Sequence, residues 1–186
     1  MTRSGLTLKV LMGTAMAVSM VVAGPASAAA PVTLTGQARI GLTTMPARFA
    51  VQCTASGPNA TGALGIALSV PVGGDQPGGF DFDAFEGPTG SRRVLTTLTV
   101  GGARQRFAAS GSYANARVFT LAVSAARTDA AAMAKLAGVL RATKAGTTLM
   151  WQQESATAGR VGLSARVELG PLEARRLSTA LKGCLG

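Results

Sequence analysis

The chain has 186 residues, 47% of them hydrophobic and 14% charged, which excludes a wholly disordered protein and fits one domain with a real core. Histidine is absent, which removes Ser-His-Asp and Cys-His catalysis and the commonest metal ligand. Basic residues number 18 against 8 acidic ones, a net charge of +10 that favours anionic partners.

In chain order, the first segment has the three parts of a secretory signal. Arg3 and Lys9 supply positive charge, Val10 to Ala23 is uncharged and apolar, and Ala26-Ser27-Ala28 offers the small residues that signal peptidase needs. Residues 1–28 are therefore expected to be a signal peptide, and 29–186 a single exported β-rich domain, periplasmic or secreted. A transmembrane anchor would need about 20 apolar residues. This run is shorter and meets Gly24-Pro25, and no later stretch is apolar for long enough, so the mature chain is expected to have no transmembrane segment. Losing Arg3 and Lys9 with the leader lowers the net charge from +10 to +8.

Alternation marks a first strand, with Val32, Leu34, Ala38, Ile40 and Leu42 on one face and Thr33, Thr35, Gln37, Arg39 and Thr43 on the other. A second run puts Phe49, Val51 and Cys53 inward, and a third aligns Leu64, Ile66, Leu68 and Val70 after turn residues at Ser56-Gly57-Pro58-Asn59. Residues 71–90 are rich in Gly and Pro and read as an extended loop, with room for a short strand over Phe80 to Phe85. Strands are expected at Arg93 to Val100 and Ala103 to Ala109, joined through Gly101-Gly102 as a two-residue hairpin, and another at Arg117 to Ser124.

The period then changes to that of a helix over about 128–145. Thr128 and Asp129 stand at its start, Met133, Leu136, Ala137 and Leu140 form its stripe, and Gly146 closes it. Strands around Leu149 to Trp151 and from Val161 to Leu169 follow, and Gly170-Pro171 opens a last helix over about 171–184. Leu177, Leu181 and Cys184 share its apolar stripe, so both cysteines of the chain, Cys53 and Cys184, point inward. An even count in an exported chain favours a disulfide between them over two separate buried thiols. The expected class is α+β: a mainly antiparallel, sandwich-like β domain with two helices.

The second half has a family likeness. The helix with Leu136 and Leu140, the segment Lys144-Ala145-Gly146-Thr147-Thr148-Leu149, and Val167-Glu168-Leu169-Gly170-Pro171-Leu172 running into a helix with Ala180-Leu181 resemble the C-terminal part of invasion-associated locus B-like periplasmic proteins. Phe49-Ala50-Val51-Gln52-Cys53 is similar to their early Cys-bearing strand. The resemblance implies an exported, β-rich accessory protein and carries no catalytic residue over. The Trp usual before the first Cys of that family, and a second Cys close by, do not occur here.

Catalytic chemistry without histidine would fall to carboxylates. Asp75, Asp81, Asp83 and Glu86 cluster in the 71–90 loop, where a pair could act on glycans or hold calcium, although a solvated acidic loop accounts for them as well. No Ser-Xaa-Xaa-Lys, Gly-Xaa-Gly-Xaa-Xaa-Gly or phosphate-loop motif occurs after the leader. Two features point to contact instead. Phe80, Phe82 and Phe85 stand together in the loop, either as an exposed partner-binding patch or as a cover over the sheet. Arg92, Arg93, Arg104 and Arg106 flank the Gly101-Gly102 hairpin and can form a basic face.

The chain therefore reads as a non-enzymatic exported accessory or binding protein of the cell envelope. Its expected partner is an envelope protein or anionic envelope polymer, with no cofactor, no metal and no nucleic acid. The alternatives are an inhibitor of an exogenous hydrolase (a lysozyme or protease) and a carboxylate-based glycan-acting enzyme.

Overall fold

The computed structural model describes residues 30–54, 62–73, 79–87, 93–124, 130–182 and Cys184. Residues 1–28, Ser56 to Asn59, Asp75, Arg92, Thr128 and Asp129 lie outside the described residues.

Among the described residues there are nine strands, most of them alternating with period 2: β1 (Val32–Ile40), β2 (Thr43–Thr54), β3 (Ala63–Pro71), β4 (Thr96–Val100), β5 (Ala103–Phe107), β6 (Ser110–Asn115), β7 (Val118–Ser124), β8 (Thr148–Gln153) and β9 (Leu163–Glu168). Two helices, α1 (Ala130–Arg141) and α2 (Pro171–Ala180), complete the α+β class expected from the sequence. All the strands join one antiparallel sheet in the order β5-β4-β8-β9-β1-β2-β3-β7-β6. The layer that faces this sheet is helical.

The sheet curls. α1 touches β5 and β4 at one edge and also β3, which stands five strand positions beyond β4. Five steps across a flat sheet span about 24 Å. A helix is about 10–12 Å across with its side chains. The strands must therefore wrap round the helix as a half-barrel.

Inside the curl, register aligns apolar residues in rows. Leu34, Phe49, Leu68 and Leu121 are successive cross-strand partners on β1, β2, β3 and β7. Trp151 faces Leu98 on one side and Ala165 on the other. Against this face α1 buries Met133, Leu136, Ala137 and Leu140, while α2 buries Ala174 and Leu177, with Leu181 following. Polar atoms in the core find partners where they can: Thr96 Oγ1 donates to Gln153 Oε1 at 2.6 Å. Trp151 Nε1 has none, which costs about 1–3 kcal/mol.

The expected disulfide is present. Cys53 sits near the end of β2 and Cys184 just beyond α2, both buried, with Cα atoms 5.5 Å apart. The bond joins the C-terminal helix to the second strand across a sequence separation of 131.

Several boundaries differ from the sequence expectation. The first strand stops at Ile40, and Gly41-Leu42 turns the chain straight into β2, so Leu42 faces solvent instead of the core. Gly41 has φ 58° and Leu42, like every described non-glycine residue, does not have positive φ, the pattern of a II′ hairpin. Gly101 and Gly102, at φ 53° and 90°, form the expected primed hairpin. Pro46 lies within β2 although proline lacks an amide donor. It sits beyond Arg48, the last residue of β2 paired with β3, where the ladder on that side has ended.

The helices are shorter than expected. α1 ends at Arg141, five residues before Gly146, and α2 ends before Cys184. The 93–95 and 161–162 segments are not strand, and Phe80 to Phe85 contains a 3-10 turn at Asp83–Phe85 in place of a short strand.

β6 has no apolar stripe to announce it. Its inward position is Gly111, opposite Leu121, and the ring of Phe119 lies over that glycine. Any Cβ at 111 would overlap the ring, so the residue that keeps the strand closed against the core is one that hides it from a hydrophobic pattern.

Candidate functional site

Phe80, Phe82 and Phe85 are 5%, 3% and 1% exposed. They are not an exposed partner-binding patch; they cover the open end of the sheet near β6 and β7. Phe80 stacks on Phe85 with centroids 5.4 Å apart and meets Phe82 edge-on at 4.8 Å. Phe82 reaches Phe119 at 5.0 Å, and Phe119 meets Tyr113 at 4.8 Å. The apolar rings gain by burial, and their edge and stacked geometries suit aromatic quadrupoles.

The acidic residues of the same loop hold it in place. Asp81 accepts from Thr157 Oγ1 at 2.6 Å and from the Ala84 amide at 3.3 Å, while Asp83 accepts from the Tyr113 hydroxyl at 2.7 Å. These are anchoring bonds to different segments, and among the described residues no group of His, Cys, Asp and Glu is arranged to hold a metal ion.

Tyr113 reports on this arrangement. Burial first, then the hydrogen bond to Asp83 and the negative charges of Asp83, Glu86 and Asp81, push its hydroxyl up to about 12 from an ordinary 10.0. The neutral phenol is the favoured form in the fold. Its contribution to stability is therefore complete below pH 10 and is lost as pH rises through 12. Because the chain has one tyrosine, tyrosinate absorbance can be assigned without mutation. The expected midpoint is near 12 in native protein and near 10 in urea. A native midpoint near 10 would mean that the loop does not hold Asp83 against Tyr113.

The outward face of the sheet carries the charged residues of the strands. Among the described strand residues the charged ones are Arg39, Arg48, Arg104, Arg106, Arg166 and Glu168, and all are exposed. Antiparallel register arranges most of them in two rows. One row runs Arg106, Thr97, Gln152, Ser164, Arg39 and Thr44 across β5, β4, β8, β9, β1 and β2. The next, two residues along each strand, runs Arg104, Thr99, Met150, Arg166, Gln37 and Pro46.

Strand spacing sets the scale of this patch. Arg106 and Arg39 are four strands apart, about 19 Å, and the rows are about 7 Å apart. A shallow depression of ≈ 270 Å³ between them is lined by Gln37, Arg39, Thr44, Gln152, Ser164 and Arg166, among others. Thr97 is 3% exposed, so the outward donors are the arginine forks, the Thr44 and Ser164 hydroxyls and the Gln37 and Gln152 amides, a surface suited to repeated anionic groups.

Of the arginines singled out from the sequence, Arg104 and Arg106 stand in this patch. Arg93 lies at its border, its guanidinium donating to the Ala156 carbonyl at 2.7 Å. Arg106 donates to Glu154 Oε1 at 3.1 Å, an exposed ion pair, and to the Val94 carbonyl at 2.9 Å. Sequence reasoning did not single out Arg39 and Arg166. Alternation placed each outward, but only the pairing of β1 with β9, Arg39 opposite Ser164 and Gln37 opposite Arg166, makes them diagonal neighbours.

No family model matches the chain, and no curated protein or solved structure shows significant similarity to it.

Proposed function

We propose that this is a non-enzymatic exported binding protein of the cell envelope, periplasmic or secreted, whose outward sheet face takes an anionic envelope polymer. The observation that carries this reading is the two-row arrangement of Arg39, Arg104, Arg106 and Arg166 with threonine, serine and glutamine donors between them. A flexible polyanion gains from many weak contacts of this kind, because each added contact is intramolecular once the first has formed.

The disulfide supports an oxidising compartment. Among the described residues no helix is long and apolar enough to cross a membrane. The glycan-enzyme reading has less support, since Asp81 and Asp83 are engaged in holding the loop.

Binding of a polyglycerol-phosphate chain, followed by anisotropy of the labelled polymer, tests the proposal. Arg104→Gln with Arg166→Gln is expected to weaken binding about tenfold, from two exposed charge contacts of up to about 1 kcal/mol each. Its unfolding midpoint should stay unchanged. Equal affinity of the variant and the parent protein would end this reading.

A further inference from the structure

We infer that one rim of the sheet docks on an anionic lipid bilayer surface. This goes beyond polymer binding on the outward face, because it concerns the loops at the end of the strands and requires apolar side chains. Ile40, Leu163, Gln153, Thr96 and Phe107 form a single cross-strand row at the ends of β1, β9, β8, β4 and β5. The chain leaves the sheet beyond that row in four segments, the Gly41-Leu42 turn and residues 93–95, 108–109 and 154–162. Backbone bonding ties two of these together, with the Glu154 amide donating to the Leu95 carbonyl at 2.9 Å.

Among the described residues the exposed large hydrophobics are Leu42, Val94, Val161 and Leu172. The first three all lie on this rim. Leu42 is 92% exposed at the tip of its turn, so nothing in the fold explains its apolar side chain. Single exposed hydrophobics are ordinary on protein surfaces, but here they gather at one end.

Arginines surround them. Arg39 Nε donates to the Gly41 carbonyl at 2.7 Å, Arg93 to Ala156 at 2.7 Å and Arg106 to Val94 at 2.9 Å. Arg39 and Arg93 are thus each fastened to a rim loop by one bond and keep further N–H donors, while Arg106 is held by two, to Val94 and to Glu154. Arg160 is exposed in the same 154–162 segment. The acidic groups nearby are Glu154, paired with Arg106, and Asp81, bonded to Thr157.

Separate apolar tips among cations do not form the continuous apolar centre of a protein interface. They match a bilayer surface, where apolar side chains enter the boundary between headgroups and chains and arginines meet lipid phosphates.

Sedimentation with sucrose-loaded vesicles tests this, using protein recovered after export and checked by mass so that residues 10–23 do not themselves drive binding. Vesicles of equimolar phosphatidylcholine and phosphatidylglycerol are expected to take up the protein, and phosphatidylcholine alone to take up much less. Leu42→Asp should reduce partition to the anionic vesicles about tenfold, with its unfolding midpoint unchanged. Leu172→Asp, at the remaining exposed hydrophobic, should have no effect. Equal partition of Leu42→Asp and the parent protein, equal loss in both variants, or no uptake by anionic vesicles would each overturn the inference.

Soluble polyglycerol phosphate separates this from the proposed polymer function. Leu42→Asp should bind the soluble polymer normally, whereas Arg104→Gln with Arg166→Gln should not.

Discussion

Replacing Phe85 with Ala is expected to lower the unfolding free energy by about 3–5 kcal/mol. Phe85 is 1% exposed, stacked on Phe80 and packed beside Gly111 of β6. Its removal leaves a void between the 79–87 segment and the sheet that the neighbouring rings cannot fill without leaving their rotamers. The loss should spread along the chain of contacts from Phe80 through Phe82 and Phe119 to Tyr113.

Besides the bond from Thr157 to Asp81, two bonds anchor the segment to β6. The Gly87 amide donates to the Gly111 carbonyl at 3.1 Å, and Tyr113 donates to Asp83. Urea unfolding followed by Trp151 fluorescence measures the change. An exposed aromatic patch would give a shift within about 0.5 kcal/mol. A shift that small would show that these rings leave the core in solution and would return them to consideration as a partner-binding surface.

Loss of the Cys53–Cys184 bond is the second large effect. Replacing both residues with Ala is expected to cost about 2–5 kcal/mol, and the closed-loop model places a loop of this length near the upper figure. The gain comes chiefly from restricting the unfolded chain, so it does not depend on the contacts around the sulfurs. In the folded state α2 is still held by Leu177 and Leu181 against the sheet. The double variant should therefore keep its β-rich circular dichroism while its urea midpoint falls. Mass spectrometry after alkylation without reductant gives the complementary result: protein taken from outside the cytosol should carry no label. A labelled chain, or a midpoint indifferent to reductant, would remove both the staple and the argument for an oxidising compartment.

Much of the fold was legible because burial on one face imposes a period. The inward positions of β1, β2, β3, β7 and β9, the stripe of α1 and the inward direction of both cysteines follow from alternation or helical spacing. Where a residue met two demands, the pattern failed. Leu42 continues the alternation of β1 yet lies in a turn, because Gly41 can adopt the positive φ that starts a hairpin. Gly111 hides β6 because the ring of Phe119 occupies the space a side chain would need. The phenylalanines at 80, 82 and 85 lie among Gly, Pro and acid, and local polarity does not tell a cover from an exposed patch.

The basic patch shows the same division. Arg104 and Arg106 share a face of one strand, which two-residue spacing fixes. Their relation to Arg166 and Arg39 depends on β4 pairing with β8, β8 with β9 and β9 with β1.

The order of amino acids sets which side of most elements is apolar, that Gly101-Gly102 turns the chain, and that two cysteines face a common core. Those are local consequences of steric limits on φ and of the cost of leaving apolar surface in water. Strand neighbours, the curl of the sheet round α1 and the rows that arginines share emerge only in the folded chain. These depend on pairing between segments distant in the chain, and each strand offers the same backbone donors and acceptors to any candidate partner.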